Sequence, residues 1–155
     1  MIRLATTEDA KRIGELWLEM VNYHQQFDAI MFRASEHGAE FYESSVLSRL
    51  PDSQTRILVA EVNGEVVGYV LGMLVNITPE MFAPVRSGFL ADISVTADYR
   101  RQGIGRELVE RLVLWFQSQN VTYFEWHVSE KNQNAVKFWK SIGGETTMLR
   151  MRTNI

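Results

Sequence analysis

Tyr99-Arg100-Arg101-Gln102-Gly103-Ile104-Gly105-Arg106 is the stretch on which the reading of this chain turns, because of what stands on either side of it. Before it runs an apolar, β-branched segment, Phe89-Leu90-Ala91-Asp92-Ile93-Ser94-Val95, which reads as a strand. After it, Leu108, Val109, Leu112, Trp115 and Phe116 recur at i, i+1, i+4, i+7 and i+8, the spacing of an amphipathic helix. A strand, a basic glycine-bearing turn and a helix N-terminus, in that order, make an anion site. The first-turn N–H groups have no intrahelical partner, and the helix dipole adds partial positive charge. Gly103 and Gly105 bring no side chain, so backbone can close on a phosphate, and Arg100, Arg101 and Arg106 supply countercharge.

Two familiar phosphate loops do not fit. There is no Gly-x-Gly-x-x-Gly run of the dinucleotide type, and no Gly-Lys-Ser/Thr follows the turn. Arg100-x-x-Gly103-x-Gly105 instead matches the (Arg/Gln)-x-x-Gly-x-(Gly/Ala) signature of the GCN5-related N-acetyltransferases, the GNAT superfamily. Six residues of that kind are a weak signal alone, since a plain basic turn ahead of a helix has the same composition. A second element stands behind them. Val128-Ser129-Glu130-Lys131-Asn132-Gln133-Asn134-Ala135-Val136-Lys137-Phe138-Trp139-Lys140-Ser141-Ile142-Gly143 resembles that superfamily's strand ending in Val followed by Asn-x-x-Ala-x-x-Phe/Leu-Tyr-x-x-x-Gly. The order and separation of the two elements also match, and the resemblance runs the length of the chain.

Bulk properties narrow the classes. At 155 residues the chain is long enough for one domain with a sizeable core, and no linker, repeat or low-complexity tract divides it, so residues 1–155 read as a single domain. The longest apolar run, Val66 to Val75, is too short to span a bilayer, and the N-terminus carries no apolar signal region; a cytoplasmic protein with no membrane partner is expected. Without cysteine there is no disulfide, no thiolate nucleophile and no thiolate metal ligand. His24, His37 and His127 are scattered, so no metal site is expected. A net charge of −3 argues against a nucleic-acid partner. Arg100, Arg101, Arg106 and Arg111 nevertheless gather positive charge about one turn, which marks a focal anion site rather than a basic face.

Along the chain, Ile2 to Leu4 reads as a short strand, and Thr6-Thr7-Glu8-Asp9 as a helix start with Thr6 able to cap. Ile13, Leu16, Trp17, Met20 and Val21 form a core stripe. Phe27 to Ala34 is a break. Glu36 to Leu50 is a second helix with Phe41, Val46 and Leu50 partly periodic, ended by Pro51. Asn63-Gly64 between two β-branched runs is a type I′ hairpin signal. Pro79 to Pro84 reads as a loop, Tyr123 to Val128 as a strand, Asn132 to Ile142 as a helix closed by Gly143-Gly144, and Thr146 to Met151 as a last strand. The order β-α-α-β-β-β-α-β-α-β predicts an α/β protein with helices on both faces of a mixed sheet. The resemblance makes this the GNAT fold: a mostly antiparallel sheet of six to seven strands, with one splayed strand pair holding acetyl-CoA.

That resemblance also implies a chemistry. Acetyl-CoA would lie where the strand Phe89–Val95 splays from Tyr123–Val128, its amide arm adding like a strand to the backbone at Ile93 and Val95. A backbone N–H there can polarise the thioester carbonyl. The pyrophosphate would sit on the N–H groups of Gln102, Gly103, Ile104, Gly105 and Arg106 with Arg100 and Arg101 beside it. Asn132 would contact the cofactor arm, serving also as a helix N-cap, and Ala135 would leave the arm room. Direct attack needs a neutral amine, and an alkylammonium near pKa 10.4 is only about one part in a thousand neutral at pH 7, so a proton acceptor is expected. Asp92 is the catalytic candidate, a carboxylate in an apolar strand; a substrate-orienting or structural role is the even alternative. Leu90-Ala91-Asp92-Ile93-Ser94-Val95 resembles the Leu-Glu-Asp-x-x-Val strand of polyamine acetyltransferases, with Ala91 where those enzymes have Glu. Glu125 and His127 are reserve bases sharing one strand face. Trp139 stands where many members carry an acid Tyr; its indole takes no acid role and is expected to shape the pocket beside the cofactor sulfur.

The leading expectation is an acetyl-CoA-dependent N-acetyltransferase acting on a small-molecule amine or an exposed peptide amine, with a homodimer as the assembly the superfamily commonly forms. The alternatives are a catalytically silent acyl-CoA-binding sensor or assembly module, and an unrelated nucleotide- or phosphate-binding domain. Tyr23, His24, Phe27, Asp28, Phe32 and Phe82, on Tyr23–Ala34 and Ile77–Ser87, are candidates for an aromatic, mildly acidic acceptor pocket.

Overall fold

The computed structural model describes residues 1–76 and 79–155. Among these, five strands and four α-helices form around one mixed sheet of order β1-β2-β3-β4-β5. The strands are β1 (Ile2–Leu4), β2 (Thr55–Val62), β3 (Glu65–Val75), β4 (Ser87–Val95) and β5 (Phe124–Glu125); the first four are antiparallel neighbours, and β5 runs parallel to β4. The helices are α1 (Ala10–His24), α2 (Gly38–Arg49), α3 (Ile104–Ser118) and α4 (Gln133–Ser141). None of the helices among the described residues is long and apolar enough to cross a membrane.

Local chemistry explains the boundaries. Asn63 and Gly64 carry φ of 52° and 82°, the type I′ geometry that matches strand twist and joins β2 to β3. At the N-terminus the Asp9 carboxylate accepts the Thr6 N–H at 2.7 Å and the Thr6 hydroxyl at 3.0 Å, which starts a short 3₁₀ turn (Thr7–Asp9) leading into α1. Arg3 reaches the same carboxylate with both terminal nitrogens, at 2.7 and 2.9 Å, and donates to Glu61 at 2.8 Å; one guanidinium thus ties β1, the start of α1 and the end of β2.

Period-two alternation, shifted in β3 by a bulge at Val67, sorts the strand residues onto two cores. Leu58, Ala60, Val67, Val70 and Leu90 meet Leu108, Val109, Leu112, Trp115 and Phe116 of α3. Ile57, Val59, Tyr69 and Leu71 meet Ala10, Ile13 and Leu16 of α1 and Val46 of α2. The approach of α3 is close: a Cβ on Gly72 would stand 2.5 Å from a Leu112 methyl, so a side chain there would lift the helix off the sheet.

Three expectations are corrected. Phe41, placed in the α2 stripe, is 67% exposed; the inward residues are Tyr42, Val46 and Leu50 at i, i+4 and i+8. The strand expected over Tyr123–Val128 keeps ladder pairing only at Gly88↔Phe124 and Phe89↔Glu125. Beyond them β4 bulges, since Leu71 pairs Asp92 while Gly72 pairs Leu90, leaving Ala91 as the extra residue. The bulge turns β4 away from β5. Thr146–Met151 forms no strand, so the sheet has five strands rather than six or seven; Met151 is 90% exposed, and Met148 and Leu149 are exposed too. A β5 of two residues offers almost no ladder for a further strand. The tail is tied instead by Arg152, which donates to Asp28 at 3.1 and 2.8 Å. Of the segment expected to shape the acceptor site, Ile77 and Thr78 lie outside the described residues.

Candidate active site

The turn between β4 and α3 is held in an unusual backbone path. Arg101 has φ 63° and Gly103 φ 85°; the first is left-handed geometry on a residue with a side chain, a strain of order 1–3 kcal/mol of the kind found at ligand sites. Gly103 is the N-cap of α3, and no side chain caps that end, so the first-turn N–H groups point outward unpaired. Gly105 follows at the second helical position with open space beside it: an added Cβ would touch only the Phe138 ring, at 3.8 Å.

Three guanidinium groups surround this end. Arg100 donates its Nε–H to the Val95 carbonyl at 2.7 Å and lies 5.0 Å above the Tyr23 ring. Arg101 donates to Asn134 Oδ1 and Arg106 to Ser141 Oγ, each at 3.2 Å, so both bridge to α4. None of the three has a carboxylate partner among the described residues. Their charge is therefore uncompensated around an uncapped helix N-terminus.

An open cleft of about 330 Å³ runs from this turn along β4. Ile93, Val95, Arg100, Arg101, Gly103, Gly105 and Arg106 line it, together with Ser94, Tyr99 and Phe138, which the sequence did not single out as site residues. Gln102 and Ile104 belong to the same turn without lining the cleft, Gln102 donating to the Asp98 carbonyl. Past Phe89 the β4 edge toward β5 is unpaired, so backbone polar groups near Ile93 and Val95 are free to take an extended amide chain.

Of the α4 residues, Asn132 forms the expected cap, whereas Trp139 does not line the cleft. Asn132 is 4% exposed and accepts the Ala135 N–H at 3.1 Å, a helix N-cap. Its side-chain nitrogen meets His24 Nε2 at 3.2 Å, while His24 Nδ1 stands 2.8 Å from the Met20 carbonyl. A carbonyl only accepts, so Nδ1 carries the hydrogen and, in the neutral ring, Nε2 accepts from Asn132. Trp139 lies in the core, 4.5 Å from the Trp126 ring, and Phe138 rather than Trp139 faces the cleft. The signal for Phe138 was present, since it occupies the motif's Phe/Leu position.

Asp92 projects to the opposite face of β4, toward α2. It accepts the Tyr42 hydroxyl at 2.7 Å, and Tyr69 donates to Tyr42 at 3.3 Å. Burial raises the Asp92 carboxyl above its usual range, against the lowering effects of the Tyr42 hydrogen bond and the Arg49 charge. Burial also lifts the Tyr42 hydroxyl well above 10, aided by the neighbouring carboxylate. Trp17 stacks on Tyr42 at 5.0 Å and fixes the ring. Tyr42 was missed by the sequence reading, which took its neighbour Phe41 as the inward residue. Of the reserve bases, Glu125 pairs with Phe89 across the two-residue ladder, and exposed His127 stands edge-on to the Phe89 ring at 5.4 Å.

The aromatic candidates for the acceptor side do cluster in part. His24 contacts Tyr23, Phe27 and Phe32 with ring centroids 4.9 to 5.8 Å apart. Phe82 is exposed, and Asp28 is engaged by Arg152, which holds its carboxyl down to about 2. Arg111, grouped by sequence with the turn, faces a separate groove between α3 and β1. Among the described residues no cluster of acidic and histidine side chains could hold a metal ion.

Comparison with known proteins agrees with this geometry. An uncharacterized N-acetyltransferase of Methanocaldococcus jannaschii is 26% identical over 147 residues, covering 93% of this chain and 60% of that protein, so the chain spans less than two thirds of that relative. A tetramutant of the BH1408 protein of Bacillus halodurans superposes with a TM-score of 0.89 at 22% identity, covering 100% of this chain and 99% of the other. An aminoglycoside N-acetyltransferase, AAC(6')-Iy, solved in complex with CoA, superposes with a TM-score of 0.77 at 15% identity, covering 100% and 93%. The profile of the Acetyltransferase (GNAT) family matches residues 11–143, which include the turn, the splayed strands and α4: the chain belongs to the GNAT acetyltransferase family.

Proposed function

We propose that this chain uses acetyl-CoA to acetylate an amine, on a small molecule or at an exposed amino group, by direct attack. The observation that carries the reading is the meeting, at one place, of the β4–β5 splay with three guanidinium groups that have no carboxylate partner among the described residues, around the uncapped N-terminus of α3. The residues fit the cofactor. N–H groups from Gln102 to Arg106 would hold the pyrophosphate with Arg100 and Arg101, and the free β4 edge at Ile93 and Val95 would hold the amide arm. Ala135 leaves that arm room, Asn132 sets the start of α4 beside it, and Trp139 supports the wall from behind Phe138. When bound, acetyl-CoA supplies a thioester whose carbon–sulfur bond is exchanged for an amide bond, leaving a thiolate of pKa near 8.5 that water can protonate.

Asp92 receives the ammonium proton, directly or through one water. Its raised proton affinity suits the task, since an acceptor nearer the working pH takes the proton with less loss of driving force. A backbone N–H at Ile93 or Val95 polarises the carbonyl. The reading takes residues 1–155 as one domain in a cytoplasmic setting, and the superfamily's habit of dimerising makes a homodimer the assembly it carries.

The test couples calorimetric titration of CoA, ATP and NAD with a thiol assay for CoA release over a broad panel of amines. Binding of CoA and release with some amines are expected. CoA binding with no release on any amine would mean an acyl-CoA sensor or assembly module; preference for ATP or NAD would overturn the reading altogether.

A further inference from the structure

On the far side of α3 from the cleft, the helix and the β1 edge of the sheet enclose a second cavity of about 290 Å³. Apart from Arg3, its residues come from one face of each element. Leu4 pairs with Leu58 and Ile2 with Ala60, so Ile2, Leu4, Leu58 and Arg56 all point to the α3 side by alternation. Arg111, Leu114 and Trp115 answer from α3 at i, i+3 and i+4. Leu4 and Leu114 form apolar rims that remain more than half exposed.

The charges in this cavity are unbalanced. Arg3, which also borders it, is spent on Asp9 and Glu61. The side chains of Arg56 and Arg111 have no carboxylate partner and no hydrogen bond among the described residues. Arg56 holds its guanidinium carbon over the Trp115 ring, 5.3 Å from the centroid, a cation–π contact. Its Nε is buried and has no partner, the single orphaned buried side-chain nitrogen or oxygen among the described residues. A buried charged donor left without an acceptor is costly and is normally answered by something.

We propose that this groove is a binding site for a small organic monocarboxylate with an apolar body. The terminal nitrogens of the Arg56 guanidinium carry the remaining N–H donors, in the planar geometry that a carboxylate accepts in pairs, and binding an anion there would also offset the charge left uncompensated at the orphaned Nε. Arg111 closes on the same head from α3. The aliphatic or aryl body lies on Ile2, Leu4, Leu58 and Leu114, covering the two exposed rims. The site is distinct from the cofactor cleft, because no residue lines both, and the proposal does not depend on the acetyl-transfer reading.

Calorimetric titration with octanoate tests it, with octanol as the head-free arm and inorganic phosphate as the body-free arm. Octanoate should bind saturably, one per chain at millimolar concentrations or below, with octanol and phosphate at least about tenfold weaker, the scale of one charge-assisted contact. Arg111→Gln, on an exposed helix face, should weaken octanoate about tenfold; Arg56→Gln should do the same where it folds. Saturating CoA should leave octanoate binding unchanged. Failure of octanoate to saturate, equal binding of octanol, unchanged affinity in Arg111→Gln, or displacement by CoA would each overturn the proposal.

Discussion

Asp92 is a carboxylate whose environment acts on function and stability in opposite directions. Burial raises its proton affinity, so ionising it in the folded state is unfavourable. The folded chain binds that proton more tightly than the unfolded chain, hence this group's contribution is most favourable at low pH and is lost as pH rises through its raised folded value. Asp92→Asn mimics the protonated form and keeps an acceptor for Tyr42. It should therefore melt higher than wild type at neutral pH, the difference closing as pH falls, while turnover drops by about 10²–10⁴-fold if Asp92 is the base. Calorimetric melting over pH and turnover near neutrality check the two halves; turnover within about threefold of wild type would return the role to Glu125 or His127. Tyr42→Phe removes the 2.7 Å hydrogen bond that stabilises the ionised form, so the acidic limb of the kcat/KM profile should move to higher pH. A limb that stays in place would separate Tyr42 from the proton transfer. Asp92 was legible in the sequence because a charge in an apolar strand stands out. Tyr42 was not, because α2 has almost no hydrophobic periodicity and its exposed Phe41 imitates an inward position.

The elements carrying the glycine turn and α3 could be read because their rules are local: β-branched residues, then glycine, then 3.6-residue spacing. The Asn63-Gly64 hairpin was legible for the same reason, needing only two residues that tolerate positive φ. What escaped reading is non-local. Nothing in Tyr123–Val128 shows that β4 will bulge at Ala91 and leave β5 two ladder pairs, and nothing in Thr146–Met151 shows that no edge will be there to receive it. Apolar alternation makes a strand only where a partner exists. At the turn itself, Gly105 combines ordinary helical geometry with open space, so a side chain there can be tolerated by the fold. Gly105→Glu places a negative charge among the three arginines where an anion is to bind. It should fold and lose about 1.5–3 kcal/mol of CoA affinity, the value of a charge-assisted contact. Calorimetry finding the affinity unchanged in the folded variant would remove the pyrophosphate from this turn.

For the whole molecule, acid stability rests on a linkage of the sign opposite to that of Asp92. The Arg3 guanidinium, then the Thr6 donors, hold the buried Asp9 carboxyl below its usual range. Stability from this pair is present above the unfolded value and lost as pH falls through the lowered folded one. Asp9→Asn should cost about 1–3 kcal/mol at neutral pH, through a broken fork and a half-paired Arg3, and the variant's melting temperature should fall less steeply on acidification than the wild type's. Parallel acid limbs in the two proteins would show that the pair contributes nothing net. A different consequence follows from the β4–β5 junction. With two ladder pairs, β5 is held to the molecule mainly by rings: Phe116, Phe124, Trp126 and Trp139 succeed one another at 5.5, 5.2 and 4.5 Å. Of the chain's four tryptophans, two are thus in van der Waals contact at the one seam where the sheet parts. Indoles that close couple optically, and their near-ultraviolet circular dichroism and emission depend on separation and tilt. The protein carries, unlabelled, a spectroscopic gauge of how far that seam is open.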